Sequence, residues 1–428
     1  MKRGFQAVKG TRDILPPDSA LWNHVEQTAR EVFRVYNFQE IRLPIFEETE
    51  LFARSVGADT DIVSKEMYTF EDRDGTSVSL RPEATASVVR AYVEHGLHTR
   101  PGLTKLYYIG PMFRRERPQK GRFRQFYQIG AEVLGPSDHP ALDAEIIELV
   151  MVFIERCGLR GCALYVNSIG CSQCRPKYVE TLRGALQKVK SKLGPDSQRR
   201  IETNPLRVLD SKVEAEQPLI EKLPSILDHL CSACRDHYEK VKQELKDRGV
   251  PFEENWRLVR GLDYYVRTTF EVTAPGLGAQ NAVCGGGRYD GLVELLGGPP
   301  TKGTGWALGT DRLILALQQA TTAKPETPLD VFLVWLGQPA YARARQLARR
   351  LRDAGTSVDL TYEEAKLKKA LGLADRAGAR FALILGENEL AQNKITLREM
   401  QSGHQRSLSE DELLKELAKP QMHTDEHR

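Results

Sequence analysis

Residues 112–124 read MFRRERPQKGRFR. Six of them are basic (Arg114, Arg115, Arg117, Lys120, Arg122 and Arg124) and one, Glu116, is acidic, a local charge of +5. Arginine's planar, permanently charged fork suits phosphate oxygens. The chemistry on offer is polyanion binding; on charge alone, a solvated basic loop is the plainer reading. Two further segments bear on that choice. Residues 258–271, LVRGLDYYVRTTFE, set Arg260 beside Asp263, Tyr264 and Tyr265. Residues 303–313, GTGWALGTDRL, place small residues ahead of Arg312. A lone tyrosine pair is usually core, and a glycine-rich strand usually marks a close backbone approach. Four cysteines form two pairs, Cys171/Cys174 and Cys231/Cys234, with the knuckle spacing of a four-thiolate zinc site. Two reduced dithiols without metal are the alternative.

These residues need elements to position them. Apolar spacing predicts a helix over 18–36, capped by Asp18 or Ser19. A strand follows at 39–46, carrying Pro44. Residues 66–81 read as a hairpin turning at Asp74-Gly75. Strands at 104–113 and 123–134 flank the basic stretch 114–122, which becomes a hairpin loop. A helix spans 141–157. From 175 to 250 the chain is polar and helical, an inserted module bracketed by the cysteine pairs. Strands return at 257–273 and 280–287, and a helix follows Gly309. Pro325 and Pro328 mark a linker at 321–328. Beyond it come strands at 329–336, 357–361, 380–386 and 394–399 and helices at 339–354, 363–376 and 410–418, with Ser409 and Glu412 as a capping box. The first part is thus α+β and the last 100 or so residues α/β.

The chain has 428 residues, enough for about three domains, or two with an insertion. Apolar residues make up 41% and charged residues 28%, as in an average globular protein. A net charge of +3 excludes a histone-like polycation or an acidic tail protein but not a local nucleic-acid surface. No stretch approaches the roughly 20 apolar residues of a membrane helix. No apolar run follows the basic N-terminal residues, so no secretory signal is expected. Seven cysteines, an odd number, argue against a secreted disulfide framework. A cytoplasmic protein is the expectation.

No Walker A loop, HExxH or G-x-S-x-G elbow is present, and Gly276-Leu277-Gly278 lacks the third glycine of a dinucleotide fingerprint. If the chain uses ATP, side chains must hold the phosphates. The three segments above, with KGTRDILP at 9–16 and LRPEATA at 80–86, resemble bacterial histidyl-tRNA synthetases, in the family's order and over nearly the whole chain. That resemblance implies a class II catalytic domain over 1–325: an antiparallel sheet with flanking helices and a helical insertion near 171–250. An α/β anticodon-binding domain would occupy 326–428.

The implied activity is histidine–tRNA ligation. Histidine attacks the ATP α-phosphorus, giving histidyl-adenylate and pyrophosphate, and the tRNA terminal hydroxyl then takes the histidine. By resemblance Arg114 and Arg260 serve the α-phosphate as catalytic arginines and also border the histidine. Arg122 approaches the ATP, and Arg312 takes its γ-phosphate end. Magnesium bridges the outer phosphates. Glu83, Thr85 and Gln128, with Ala84 in the same turn, face the α-ammonium. Glu132 and Tyr265 face the imidazole, with Tyr264 and Tyr289 lining the pocket. Gln119 and Arg124 approach the tRNA acceptor end. A further basic stripe, Arg345, Arg349 and Arg352, is possible on the helix at 339–354; a solvated face fits it equally. The segment 39–49 implies a homodimer. A regulatory paralogue of this family lacks the C-terminal domain and degrades RGLDYY; both are intact here. Zinc at the four cysteines is not part of the family's general pattern.

Overall fold

The computed structural model describes residues 5–57, 60, 62–278, 281–320 and 329–417. The proline linker expected at 321–328 lies outside them. Contacts divide the chain into two compact units, Met1–Pro325 and Glu326–Arg428.

In the first unit the strands are β1 (Gln39–Glu40), β2 (Phe46–Glu48), β3 (Tyr68–Glu71), β4 (Ser77–Leu80), β5 (Thr104–Phe113), β6 (Gln125–Gly135), β7 (Ala163–Ser168), β8 (Glu253–Glu254), β9 (Val266–Thr273), β10 (Ala282–Arg288) and β11 (Lys302–Gly309). Eight of them make one sheet in the order β1-β5-β6-β11-β10-β9-β7-β8. Its six inner strands run antiparallel, and the two-residue edges pair parallel. A small sheet, β2-β4-β3, stands apart.

Strand alternation gives the large sheet two unlike faces. One face carries Ile129, Ala131 and Val133 of β6, Trp306 and Leu308 of β11, and Phe270 and Val272 of β9 into the main core. The helix Asp18–Val35 covers that face with Trp22, Val25, Ala29, Val32 and Phe33, all buried at helical spacing. Its N-cap is Pro17, with no side-chain cap, so neither Asp18 nor Ser19 plays the expected part. Proline's fixed φ suits a helix start.

Several expected boundaries move. The strand expected at 39–46 splits into β1 and β2. Between them the Arg81 guanidinium bonds the Leu43 and Pro44 carbonyls at 3.0 and 3.2 Å, which takes the chain out of the sheet. The strand expected from 257 starts only at Val266, and RGLDYY is a loop ahead of it. The Asn167 amide holds that loop, donating to the Trp256 and Leu258 carbonyls at 3.0 and 2.9 Å. The helical insert has its own core, including Tyr178, Leu182, Leu186, Ile201 and Val208. That core ends near Cys234. The helix Ser232–Asp247 sends Tyr238, Val241 and Leu245 into the main core instead.

The same helix joins a buried charge cluster. Asp143, on the helix Pro140–Arg156, accepts from Arg288 at 2.6 Å and from Thr268 at 2.7 Å, with His237 at 2.9 Å. Burial pushes the Asp143 carboxyl up, but the charge of Arg288 and the hydrogen bond to His237 outweigh it and hold it down at about 2. Asp143→Ala removes two of the carboxylate bonds to the fully buried Arg288 and leaves it, among the described residues, only Asp290, at 3.1 Å. It is expected to cost about 3–5 kcal/mol in urea unfolding near pH 7. Because the folded value lies below the unfolded one, this stabilisation is complete above about pH 4 and is lost as pH falls toward 2. The wild type and Asp143→Ala should therefore converge in acid.

In the second unit β12 (Val331–Trp335), β13 (Val358–Leu360) and β14 (Phe381–Leu385) are parallel. β15 (Ile395–Glu399) and β16 (Gln405–Leu408) extend the sheet antiparallel, in the order β13-β12-β14-β15-β16. The helix Gln338–Asp353 packs Ala340, Ala344, Leu347 and Leu351 on one face of the sheet, and Leu367–Arg376 packs Ala370 and Ala374 on the other. Ser409 and Glu412 form the expected capping box. Arg345, Arg349 and Arg352 are all exposed; Arg349 pairs with Asp353, and Arg352 bonds the Val358 carbonyl.

Candidate functional site

The face of the sheet opposite the main core is floored with small residues. Gln128, Gly130 and Glu132 of β6 stand level with Gly309, Ala307 and Gly305 of β11. Ala307 and Gly305 stand level with Gly285 and Gly287 of β10, and these with Glu271 and Thr269 of β9. Residues paired across a sheet point to the same side. Glycine and alanine in the middle of these rows keep the floor low, and taller polar groups stand at its ends. A cleft of about 240 Å³ opens above it.

Arg114, Arg122, Arg260 and Arg312 line this cleft together with Glu83, Glu116, Glu271 and Asp311. The basic hairpin loop contributes two cations and one acid here: Glu116 lies 3.8 Å from Arg114 and 3.3 Å from Arg122. Arg114 also donates through Nε to the Pro82 carbonyl at 2.9 Å. Arg312 donates to the Ala282 carbonyl at 2.8 Å. Burial and the like charge of Arg122 pull its guanidinium below the ordinary value. A bound anion relieves that repulsion. Asp311 accepts from Arg12 and from the Tyr127 amide, each at 2.8 Å, so KGTRDILP ties the start of the helix Thr310–Ala320 to β6.

Arg260 comes from the RGLDYY loop and lies flat across β10. Its Nη1 donates to Glu271 at 2.9 Å, and its Nε has no hydrogen-bond partner among the described residues. Gly285 lies directly beneath. A Cβ there would strike the guanidinium, so only glycine leaves room for it.

At the other end the cleft turns acidic and aromatic. Glu83 caps the helix Thr85–Glu94, accepting from the Thr85 and Ala86 amides at 2.7 and 3.0 Å. The Thr85 hydroxyl gives its proton to Glu132 at 2.7 Å, which leaves the oxygen's lone pairs as acceptors. Tyr289 donates to the other Glu132 oxygen at 2.6 Å. Burial raises the Glu83 carboxyl and takes Glu132 up to about 8. Burial thus favours the uncharged carboxyls, and a cation placed among them would pull both values back down. The Tyr264 and Tyr265 rings tilt together at 4.7 Å, and Tyr264 meets Tyr289 edge-on at 5.8 Å. Burial lifts the Tyr265 hydroxyl to about 12, so it stays protonated. The Gln128 Oε1 is buried without a partner among the described residues.

Nine of the residues singled out from the sequence line this cleft: Glu83, Thr85, Arg114, Arg122, Gln128, Arg260, Tyr264, Tyr265 and Arg312. Glu132 and Tyr289 lie behind Thr85, bonded to each other. Ala84 is buried and does not border the cleft. Gln119 and Arg124 stay on the hairpin loop outside it: Gln119 pairs with Arg122 across the loop tip, and the Arg124 amide bonds Gly10. Sequence reasoning passed over Glu271, which holds Arg260, and took the glycine-rich strand only as a close backbone approach. Gly303, Gly305, Ala307 and Gly309, at every second position of GTGWALG, were the available signal for the small-residue rows.

The family model for histidyl-tRNA synthetase matches residues 10–313, and that for the anticodon-binding domain matches 330–419. The chain belongs to the histidyl-tRNA synthetase family. A histidine–tRNA ligase of Solibacter usitatus (strain Ellin6076) is 57% identical over 410 residues, covering 96% of this chain and 98% of its own. One of Koribacter versatilis (strain Ellin345) is 55% identical over 419 residues, covering 96% and 95%. The crystal structure of apo S. aureus histidyl-tRNA synthetase matches with a TM-score of 0.81 at 39% identity, covering 97% of this chain and all of that one. Among the described residues, the cleft of this chain is lined by cationic side chains rather than by a phosphate-binding glycine loop. Its cations are arginine side chains brought in from three separate segments.

Proposed function

We propose that this chain activates histidine with ATP and transfers it to the 3′ end of its tRNA, with the work divided along the cleft. The carrying observation is the polarity of that cleft. Four arginines lie over one part of the small-residue floor, and a buried acid–hydroxyl–tyrosine cluster closes the other.

Arg114 and Arg260 hold the α-phosphate. Their charge opposes the repulsion between an incoming carboxylate and a polyanion and stabilises the charge that develops at phosphorus. Arg122 and Arg312 take the outer phosphates. Class II synthetases use ATP and Mg²⁺ generally. Glu116 and Glu271 are cleft carboxylates whose hard oxygen donors suit that ion. When bound, magnesium supplies charge neutralisation at the outer phosphate oxygens. Glu83, the Thr85 oxygen and Gln128 receive the α-ammonium. Glu132 and Tyr265 read the imidazole, with Tyr264 and Tyr289 as walls. Pairing polar atoms of both partners rejects an isostere lacking them far better than an apolar slot does.

Gln119 and Arg124 face the tRNA acceptor end, and the unit 326–428 reads the anticodon. A homodimer through the 39–49 segment is supported by exposed Ile45, Phe46 and Phe70 around the small sheet. No helix among the described residues is long and apolar enough to cross a membrane. We place the protein in the cytoplasm, with its tRNA. Incubating the chain with labelled histidine, ATP and bulk bacterial tRNA tests this reading. Acid-stable label on one acceptor species is expected; no charging at any tRNA concentration would overturn it.

A further inference from the structure

Cys171, Cys174, Cys231 and Cys234 converge where the insert meets the catalytic body. All four sulfurs lie within 4.8 Å of one another. Cys171 Sγ is 3.8 Å from Cys174 Sγ and 3.9 Å from Cys231 Sγ; Cys174 and Cys234 are also 3.9 Å apart. Zinc–sulfur bonds of about 2.3 Å in a tetrahedron put sulfurs about 3.8 Å apart. The first pair is also shaped as a knuckle. The Cys171 amide points at Cys174 Sγ at 3.2 Å, and the Gln173 amide at Cys171 Sγ at 3.4 Å. Such N–H donors stabilise metal-bound thiolates. Gly170 enters the knuckle at a φ of +69°, where a Cβ would lie 2.7 Å from Cys174 Sγ.

The charge balance agrees. Four thiolates around one Zn²⁺ leave a charge of −2. Arg175 and Arg267 lie close enough for their guanidinium groups to feel this cluster. Arg175 directly follows Cys174. Its Nε donates to the Ile169 carbonyl at 2.9 Å, and its Nη2 to the carbonyls of Gly170 and Tyr265. Arg175 therefore fastens the knuckle to the backbone of a tyrosine that borders the cleft.

We propose that the four cysteines hold one structural zinc ion, and that this ion fixes the turn from which Arg175 grips the Tyr265 carbonyl. The metal site stands independently of how the cleft is used; its effect on histidine rests on the function proposed above. Zinc is measured by mass spectrometry of metals in the full chain, purified without chelator or added zinc. About one zinc per chain is expected, falling to near zero in a Cys171→Ser/Cys174→Ser variant. A wild-type content near zero, even after incubation with equimolar zinc, would overturn the site, as would a protein mass showing two disulfides in the reduced-purified chain. Should the double variant fail to fold, cobalt exchange into the wild type decides instead. Tetrahedral thiolate-to-cobalt absorption is expected, and the weak spectrum of octahedral cobalt would overturn the site. Zinc-stripped protein is expected to show a histidine KM raised several-fold with its ATP KM within two-fold. An unchanged histidine KM would overturn the link through Arg175, while absent histidine-dependent exchange in zinc-loaded protein would instead count against the function.

Discussion

Arg260→Ala is expected to lower histidine-dependent ATP–pyrophosphate exchange about 10³-fold, the upper range for losing one preorganised donor. Arg260 is not a core residue: it belongs to a loop, and its side chain keeps 22% of its surface exposed. Truncation leaves Glu271, itself 25% exposed, to be hydrated. The melting temperature should therefore barely move. Two relatives of this variant sharpen the expectation. Arg260→Lys should recover little, because a point charge replaces a planar fork that lies flat over Gly285 and reaches Glu271. Gly285→Ala should mimic the loss with Arg260 still present, since the added methyl group occupies the guanidinium's place. Exchange rates at saturating histidine and ATP, with thermal melts of each variant, check all three. Normal exchange by Arg260→Ala would remove the arginine from the chemistry.

Glu132→Gln is expected to do two opposite things. At pH 8.5, where the carboxyl is ionised, it should raise the histidine KM by about 10–100-fold, as expected for losing a hydrogen bond to a charged group worth about 1.5–3 kcal/mol. It should also stabilise the empty protein in a pH-dependent way. The Glu132 carboxyl rises to about 8 on folding from an ordinary value of 4.5, so the folded state holds the proton more tightly. Stability from this group is complete below about pH 4.5 and is lost as pH rises through 8. Glutamine has no proton to lose. The variant should melt with the wild type at pH 4.5 and several degrees above it at pH 8.5. The Thr85 and Tyr289 hydroxyls can rotate to serve the amide, so the fold tolerates the change. Equal melting temperatures at both pH values, with an unchanged KM, would show that Glu132 is neither ionised nor near the ligand.

The sequence made much of this legible, but unevenly. The β5–β6 hairpin and its basic loop were readable because both strands and the turn are contiguous. The same holds for the strand-to-helix junction at Arg312, and the α/β order of the second unit shows in its local periodicity. The loop 257–265 was not. Its residues alternate well enough for a strand, and what bends them is Asn167, some 90 residues earlier in the chain. The arginine cluster was read as a surplus of charge, yet Glu116 pairs with Arg114 and Arg122, and Glu271 with Arg260. Glu271 becomes a partner only when β9 and β10 register. The glycine floor is likewise a property of pairing between strands. Asp143, His237, Thr268 and Arg288 lie too far apart in sequence for any local pattern to join them. β16 is polar and exposed, so no apolar alternation marks it.

Amino-acid-dependent ATP–pyrophosphate exchange with all twenty amino acids in parallel, on the wild-type chain, tests the division of labour in the cleft most directly. Histidine alone is expected to support exchange, without tRNA. Exchange driven by proline or threonine, or by no amino acid at all, would contradict the reading of Glu132, Tyr265 and Arg260 as a histidine-activating site.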